Sequence, residues 1–178
     1  MFRVNSWETA TRKCVFLAFF ALLALVVRAQ DESGDLVKEG QQMPAFTIMN
    51  DNGTQVPSSS LKGKVILVNF FATWCPPCQK ELASVQQTLW PKYKDNNKFE
   101  MLVIGREHSD KELATYNEKK GFTFPLYPDK NRAIFGAFAK NLIPRTYLIG
   151  KDGKVLYAGK GYTDKEFTEL MEKIEKTL

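Results

Sequence analysis

Hydrophobic positions along this chain follow two rhythms, short apolar runs of strand length and longer segments that repeat every three or four residues. The run Lys64-Val65-Ile66-Leu67-Val68-Asn69-Phe70-Phe71 is β-branched and aromatic, the composition of a buried parallel strand. Before it, Phe46 to Asn50 and Thr54 to Val56 flank Asp51-Asn52-Gly53, a turn signal that predicts a β-hairpin, and Ser58 to Gly63 reads as a connecting loop. After it, Cys78 to Lys94 carries Leu82, Val85, Leu89 and Trp90 on one side, which predicts a long helix that Pro91 bends or splits. Phe99 to Gly105 is the next buried strand.

Ser109-Asp110-Lys111-Glu112 has the spacing of a capping box and predicts a helix from Asp110 to Lys120. A short strand over Phe122 to Tyr127 and a short helix over Asn131 to Lys140 follow. Thr146 to Ile149 and Val155 to Gly159 form a hairpin across Lys151-Asp152-Gly153. A second capping box, Thr163 to Glu166, opens the last helix, whose stripe of Phe167, Leu170, Met171 and Ile174 is a core face. The order β-α-β-α-β-α-β-β-α, parallel first and antiparallel near the end, predicts an α/β fold with a mixed central sheet and helices on both faces. In such sheets a catalytic group is expected at the carboxyl end of a central strand.

The N-terminus has a different pattern. Fourteen apolar residues, Cys14 to Val27, follow Arg12 and Lys13 and end at small residues before a break at Ala29/Gln30. Residues 1–29 therefore read as a secretory signal peptide, with a retained membrane anchor as the alternative; a spanning helix usually needs nearer 20 residues. Cys14 stands at the start of the apolar run and not after it, against a lipoprotein signal. Residues 30–40 are polar and acidic, an expected flexible tether, and residues 41–178 make one domain. An exported, periplasmic or otherwise extracytoplasmic protein is expected. Removing residues 1–29 lowers the 25 basic residues to 21 and the 20 acidic ones to 19, so the net charge of +5 becomes +2 and nucleic-acid binding has no basic tract to rest on.

The chemistry lies in Trp74-Cys75-Pro76-Pro77-Cys78, where the apolar strand hands over to the helix. Pro76 suits the first helical position, which leaves Cys75 at the N-terminal end beside free N–H groups and the positive end of the helix dipole. Helix N-terminal C-x-x-C thiols fall from an ordinary pKa of about 8.5 to roughly 3.5–7.5, so Cys75 is the expected nucleophile and Cys78 the resolving thiol. The pair reads as a redox-active disulfide. Without the signal only these two cysteines remain, so neither a framework disulfide nor a structural zinc site, which needs four ligands, fits; His108 is the single histidine. No metal and no cofactor is expected.

Asn69-Phe70-Phe71-Ala72-Thr73-Trp74-Cys75-Pro76-Pro77-Cys78-Gln79-Lys80-Glu81-Leu82 resembles the thioredoxin superfamily, and within it the exported TlpA/ResA-like branch. The likeness spans about Gln41 to Leu178, including the early hairpin and an extra helix and strand between Gly105 and Pro144. It implies a thioredoxin-like fold with an N-terminal β-hairpin and a central helix/strand insertion, and a thiol:disulfide oxidoreductase. It also implies a cis Ile143-Pro144 bond lying against the disulfide, so that Ile143 and Pro144, with Trp74, Pro76 and Pro77, form the substrate-binding surface. Arg145 stands where the branch more often has a small hydroxyl residue, which puts the shape and charge of that groove in question.

Asn69 occupies the strand position of the buried aspartate of thioredoxins proper, so proton handling must fall elsewhere. Glu81 matches a glutamate of this branch and shares a helix face with Cys78, which makes it a catalytic base if burial raises its pKa, and a solvated surface residue if not. Lys80 is expected to face solvent, and Arg106, Glu107 and His108 to lie on the active-site side. The resemblance implies protein disulfides as substrates, a membrane electron donor that keeps the pair reduced, cytochrome c maturation as the setting and a monomeric state. Other readings are a disulfide oxidase or isomerase of the same fold, a thiol peroxidase, and a non-catalytic metal-delivery or chaperone module. The peroxidase reading lacks the usual residues before its cysteine, and the binding module leaves the thiols unexplained.

Overall fold

Strand β3 (Val65–Phe71) is buried at every one of its seven positions, because it has neighbours on both edges and cover on both faces. Side chains on a strand alternate between faces, and the two cores follow that alternation. Val65, Leu67 and Phe71 join one core, and Ile66, Val68 and Phe70 the other. Asn69 has the parity of the first set, and this decides which helix it meets.

The computed structural model describes residues 34–50 and 53–178. The expected signal over 1–29, the first part of the tether and Asp51-Asn52 of the hairpin turn lie outside the described residues. Among those described, strands β1 (Thr47–Met49) and β2 (Gln55–Pro57) pair antiparallel as a separate hairpin. The central sheet has the order β5-β4-β3-β6-β7, with β4 (Phe99–Arg106), β5 (Leu126–Asp129), β6 (Arg145–Ile149) and β7 (Val155–Lys160). β3, β4 and β5 run parallel, and β6 and β7 antiparallel to their neighbours, the mixed sheet expected.

The face of Val65 and Leu67 is covered by α1 (Pro76–Ser84) through Leu82, by the turns that follow it through Val85, Leu89 and Tyr93, by α3 (Asp110–Lys120) through Leu113 and Tyr116, and by α5 (Asp164–Thr177) through Leu170 and Ile174. α4 (Ala133–Phe138) covers the opposite face with Ile134, Phe135 and Phe138. The first predicted capping box is complete, with Ser109 Oγ accepting the Glu112 amide while Glu112 accepts the Ser109 amide. At the second, Thr163 Oγ1 accepts the Glu166 amide at 3.2 Å and its hydroxyl donates to the Glu166 carboxylate at 2.7 Å, an N-cap without the reciprocal backbone bond.

Besides a 3-10 turn over Ser58–Leu61 within the expected connecting loop, four elements differ from the pattern-based reading. The long helix is interrupted before Pro91: a π-helical turn over Val85–Leu89 precedes the short α2 (Trp90–Tyr93). A proline ring clashes with the carbonyl four residues back, here that of Gln87, and the wider turn, with the Trp90 N–H donating to Val85 O, relieves that contact. The strand expected over Phe122 to Tyr127 is shifted to Leu126–Asp129, since Phe122 and Phe124 stack on each other at 4.8 Å and Phe124 packs edge-on against Trp90. The helix expected over Asn131 to Lys140 is confined to Ala133–Phe138: Arg132 is left-handed, and Asp129 accepts the Ile134 and Phe135 amides.

The fourth difference concerns the tether, whose second half is fixed to the fold. Val37 is buried, Leu36 and Val37 donate to Phe138 O, and Asp35 pairs with Arg145 and Lys160. No described helix is long and apolar enough to cross a membrane.

Candidate active site

α1 begins with prolines at its first two positions, so neither can offer an N–H to the helix N-terminus. The first amide available is that of Cys78, and it donates to Cys75 Sγ at 3.3 Å. Cys75 is the N-cap in extended conformation, with its sulfur at the positive end of the helix. Cys75 and Cys78 are joined in a disulfide with Cα atoms 5.3 Å apart. Both are buried, whereas Trp74 beside them is 63% exposed and Pro76 and Pro77 face solvent.

The Ile143-Pro144 bond is cis, and Ile143 O lies 3.9 Å from Cys75 Sγ. A disulfide sulfur carries no proton, so in this state the approach is a contact and not a hydrogen bond. Leu142 precedes it with φ of 63°, and its side chain is exposed. Ile143 through its carbonyl and Trp74 as its neighbour in sequence therefore both flank Cys75. The doubt raised by Arg145 is resolved differently: its side chain is wholly buried, donates from Nε to Asn141 O at 2.9 Å and pairs with Asp35, so it adds no charge to the exposed surface.

Glu81, three residues after Cys78 on α1, has 4% of its surface exposed, which excludes a solvated glutamate. Thr146 Oγ1 donates to Oε1 at 2.7 Å and Asn69 Nδ2 to Oε2 at 2.9 Å; Asn69 Nδ2 also lies 2.9 Å from Thr146 Oγ1. The grouping follows from the sheet: Asn69 and Thr146 are paired across β3 and β6, and the parity of Asn69 turns it toward α1. Burial pushes the Glu81 carboxyl up to about 7, against the lowering effect of its two hydrogen bonds, and Glu166 on α5 adds to the rise. A carboxyl at that value exchanges protons near neutral pH. Lys80 is exposed, as expected.

Sequence reading missed two members of the site. Thr146 is one, since its contact with Glu81 spans 65 residues and depends on a strand register that no local pattern reveals. The other is the Thr73 contact of His108, whose place on the active-site side is legible in the sequence but whose partner is not. Its ring is buried and Nε2 accepts the Thr73 amide at 3.0 Å. On the other side of that residue, Gln79 Nε2 donates to Thr73 O at 2.8 Å. Arg106 and Glu107 pair with each other at 2.9 Å.

The Redoxin family model matches residues 38–174. The thiol-disulfide oxidoreductase ResA of Bacillus anthracis is 33% identical over 130 residues, which cover 73% of this chain and 74% of that protein. Among solved structures, a candidate protein disulfide isomerase from Bacteroides thetaiotaomicron superposes with a TM-score of 0.77 at 35% identity, covering 82% of this chain and 92% of that one. A thiol:disulfide interchange protein of Chlorobium tepidum, at 24% identity and a TM-score of 0.64, covers 79% of this chain and 97% of its own and shares the fold. Sheet order, paired cysteines and these similarities agree, and the chain belongs to the Redoxin family as a ResA-like thiol-disulfide oxidoreductase of the thioredoxin superfamily.

Proposed function

We propose that this protein reduces disulfides of protein substrates outside the cytoplasm, with Cys75 as nucleophile and Cys78 as resolving thiol. One observation carries the assignment: the first free amide of α1 points at Cys75 Sγ, where it favours a thiolate. The Cys75 thiolate attacks one sulfur of the substrate disulfide, forming a mixed disulfide and expelling the other sulfur as a thiolate. Cys78, deprotonated with Glu81 as the eventual proton acceptor, attacks Cys75 Sγ, expels the second substrate sulfur and leaves the Cys75-Cys78 disulfide. Two electrons pass to the substrate.

The exposed Trp74, Pro76 and Pro77, together with Ile143 and Pro144, supply the docking surface. The apolar run over 14–27 supports export, and a membrane electron donor returns the pair to the dithiol. The family resemblance supports cytochrome c maturation as the setting. Trapping tests the reading: Cys78→Ser is expected to accumulate mixed disulfides through Cys75, and Cys75→Ser none. Equal trapping by both variants would overturn the assignment of roles.

A further inference from the structure

The loop Ala72-Thr73-Trp74 is the only backbone between the end of β3 and the nucleophile, so its placement fixes where Cys75 and Trp74 stand. Its central residue, Thr73, is held through both flanking peptides, the N–H donating to His108 Nε2 and the C=O accepting from Gln79 Nε2. Gln79 belongs to α1 itself, whereas His108 comes from the turn after β4 and anchors the loop to the sheet. That turn is specifically built. Glu107 adopts φ of 63°, His108 N–H donates to Gly105 O, and a Cβ on Gly105 would meet a Leu113 methyl at 2.6 Å and His108 Cβ at 3.3 Å, so the histidine sits close on a strand end that has no side chain.

An imidazole nitrogen that accepts a hydrogen bond carries no proton, so the His108 proton resides on Nδ1, a buried atom with no hydrogen-bond partner among the described residues. We propose that neutral His108 is a positioning residue of the redox site, holding the Thr73 amide and through it the loop that presents Trp74 and Cys75. The role rests on the oxidoreductase reading above and adds a residue to it. Protonation would turn Nε2 into a donor facing the Thr73 N–H and release the loop. Burial lowers the His108 pKa from its ordinary value near 6.5, while Glu107 on its own turn and Glu112 on α3 oppose the shift. Lys111, Thr115, Tyr116 and Lys119 of α3 and Thr73 complete the wall of the adjoining cavity, and Cys75 does not titrate in the disulfide. The loop is thus held at neutral pH and freed in acid.

Glutamine places an amide oxygen near the position of Nε2 and cannot be protonated; phenylalanine keeps much of the ring and offers no acceptor. In the oxidised protein, the Thr73 amide shift and hydrogen-exchange rate are expected to titrate with the His108 ring at a midpoint below 6.5 in wild type and not at all in His108→Gln. At pH 7.5, alkylation of reduced Cys75 by iodoacetamide is expected to be within about twofold of wild type in His108→Gln and roughly 3- to 10-fold altered in His108→Phe, the range of a lost backbone hydrogen bond. Thr73 amide exchange in His108→Phe at wild-type rate, or an acid titration of Thr73 that persists in His108→Gln, would overturn the proposal. These readouts need no substrate, so a wild type inactive on protein disulfides would contradict the functional reading and leave this one standing or falling on its own data.

Discussion

Asn69 Nδ2 lies 2.9 Å from Glu81 Oε2, so the central strand grips a carboxyl group that helix α1 has carried out of solvent. The grip involves an amide, which cannot share or take up the proton. Glu81 is left as the titrating member of the group it forms with Asn69 and Thr146.

Glu81→Gln should therefore slow thiol exchange and flatten its pH dependence. It should also change stability in one direction. The native pKa of about 7 lies above the ordinary 4.5, so the native state holds a proton that the unfolded chain releases. The stability linked to Glu81 is fully present below 4.5 and is lost as pH rises through 7, by about 1.4 kcal/mol per unit and on the order of 3 kcal/mol in all. Denaturant titrations at pH 5 and pH 8 should show wild type losing stability relative to Glu81→Gln over that interval. A constant difference would return Glu81 to an ordinary pKa.

Thr146→Val keeps the side-chain shape and removes the hydroxyl that donates to Glu81 Oε1 at 2.7 Å. That bond favours the charged carboxylate and lowers its pKa, so its loss should move the Glu81 titration upward from about 7. The pH profile of thiol exchange should shift to the alkaline side, and carbonyl NMR of Glu81 in the oxidised protein should report the same displacement.

Asp35→Ala should cost more than its position near the start of the fold suggests. It leaves the fully buried Arg145 guanidinium without its carboxylate partner, a change worth roughly 3–5 kcal/mol where a buried pair is broken. For a domain of this size, that lowers the melting temperature by about 10 °C. A chain beginning at Gln41 should show a loss at least as large, since it also lacks Val37.

Local chemistry made much of this molecule legible in its sequence. Ser109 and Glu112 determine the start of α3, the β-branched run 65–71 forms the buried centre of the sheet, and the prolines at 76 and 77 place Cys75 at a helix N-terminus. What escaped depends on distant partners. Asp35 and Arg145 are 110 residues apart, so an acidic segment that reads as a tether is fixed by a charge on β6. Arg145 itself reads as a groove residue because it follows Pro144, yet the strand turns its side chain inward. Phe122 and Phe124 have strand composition and pack instead against each other and Trp90. The burial of Glu81 was readable only as a condition, since helix spacing gives its face and not the depth of cover supplied by β6 and α5.

The reduction potential of the Cys75/Cys78 couple, measured by equilibration against glutathione or dithiothreitol buffers, tests the reductase account most directly. Couples of this fold range from about −270 mV in thioredoxin to about −120 mV in the strongest oxidants. A reductase of protein disulfides should lie near the thioredoxin end. A value near −120 mV, or a pair that does not equilibrate with either buffer, would contradict it.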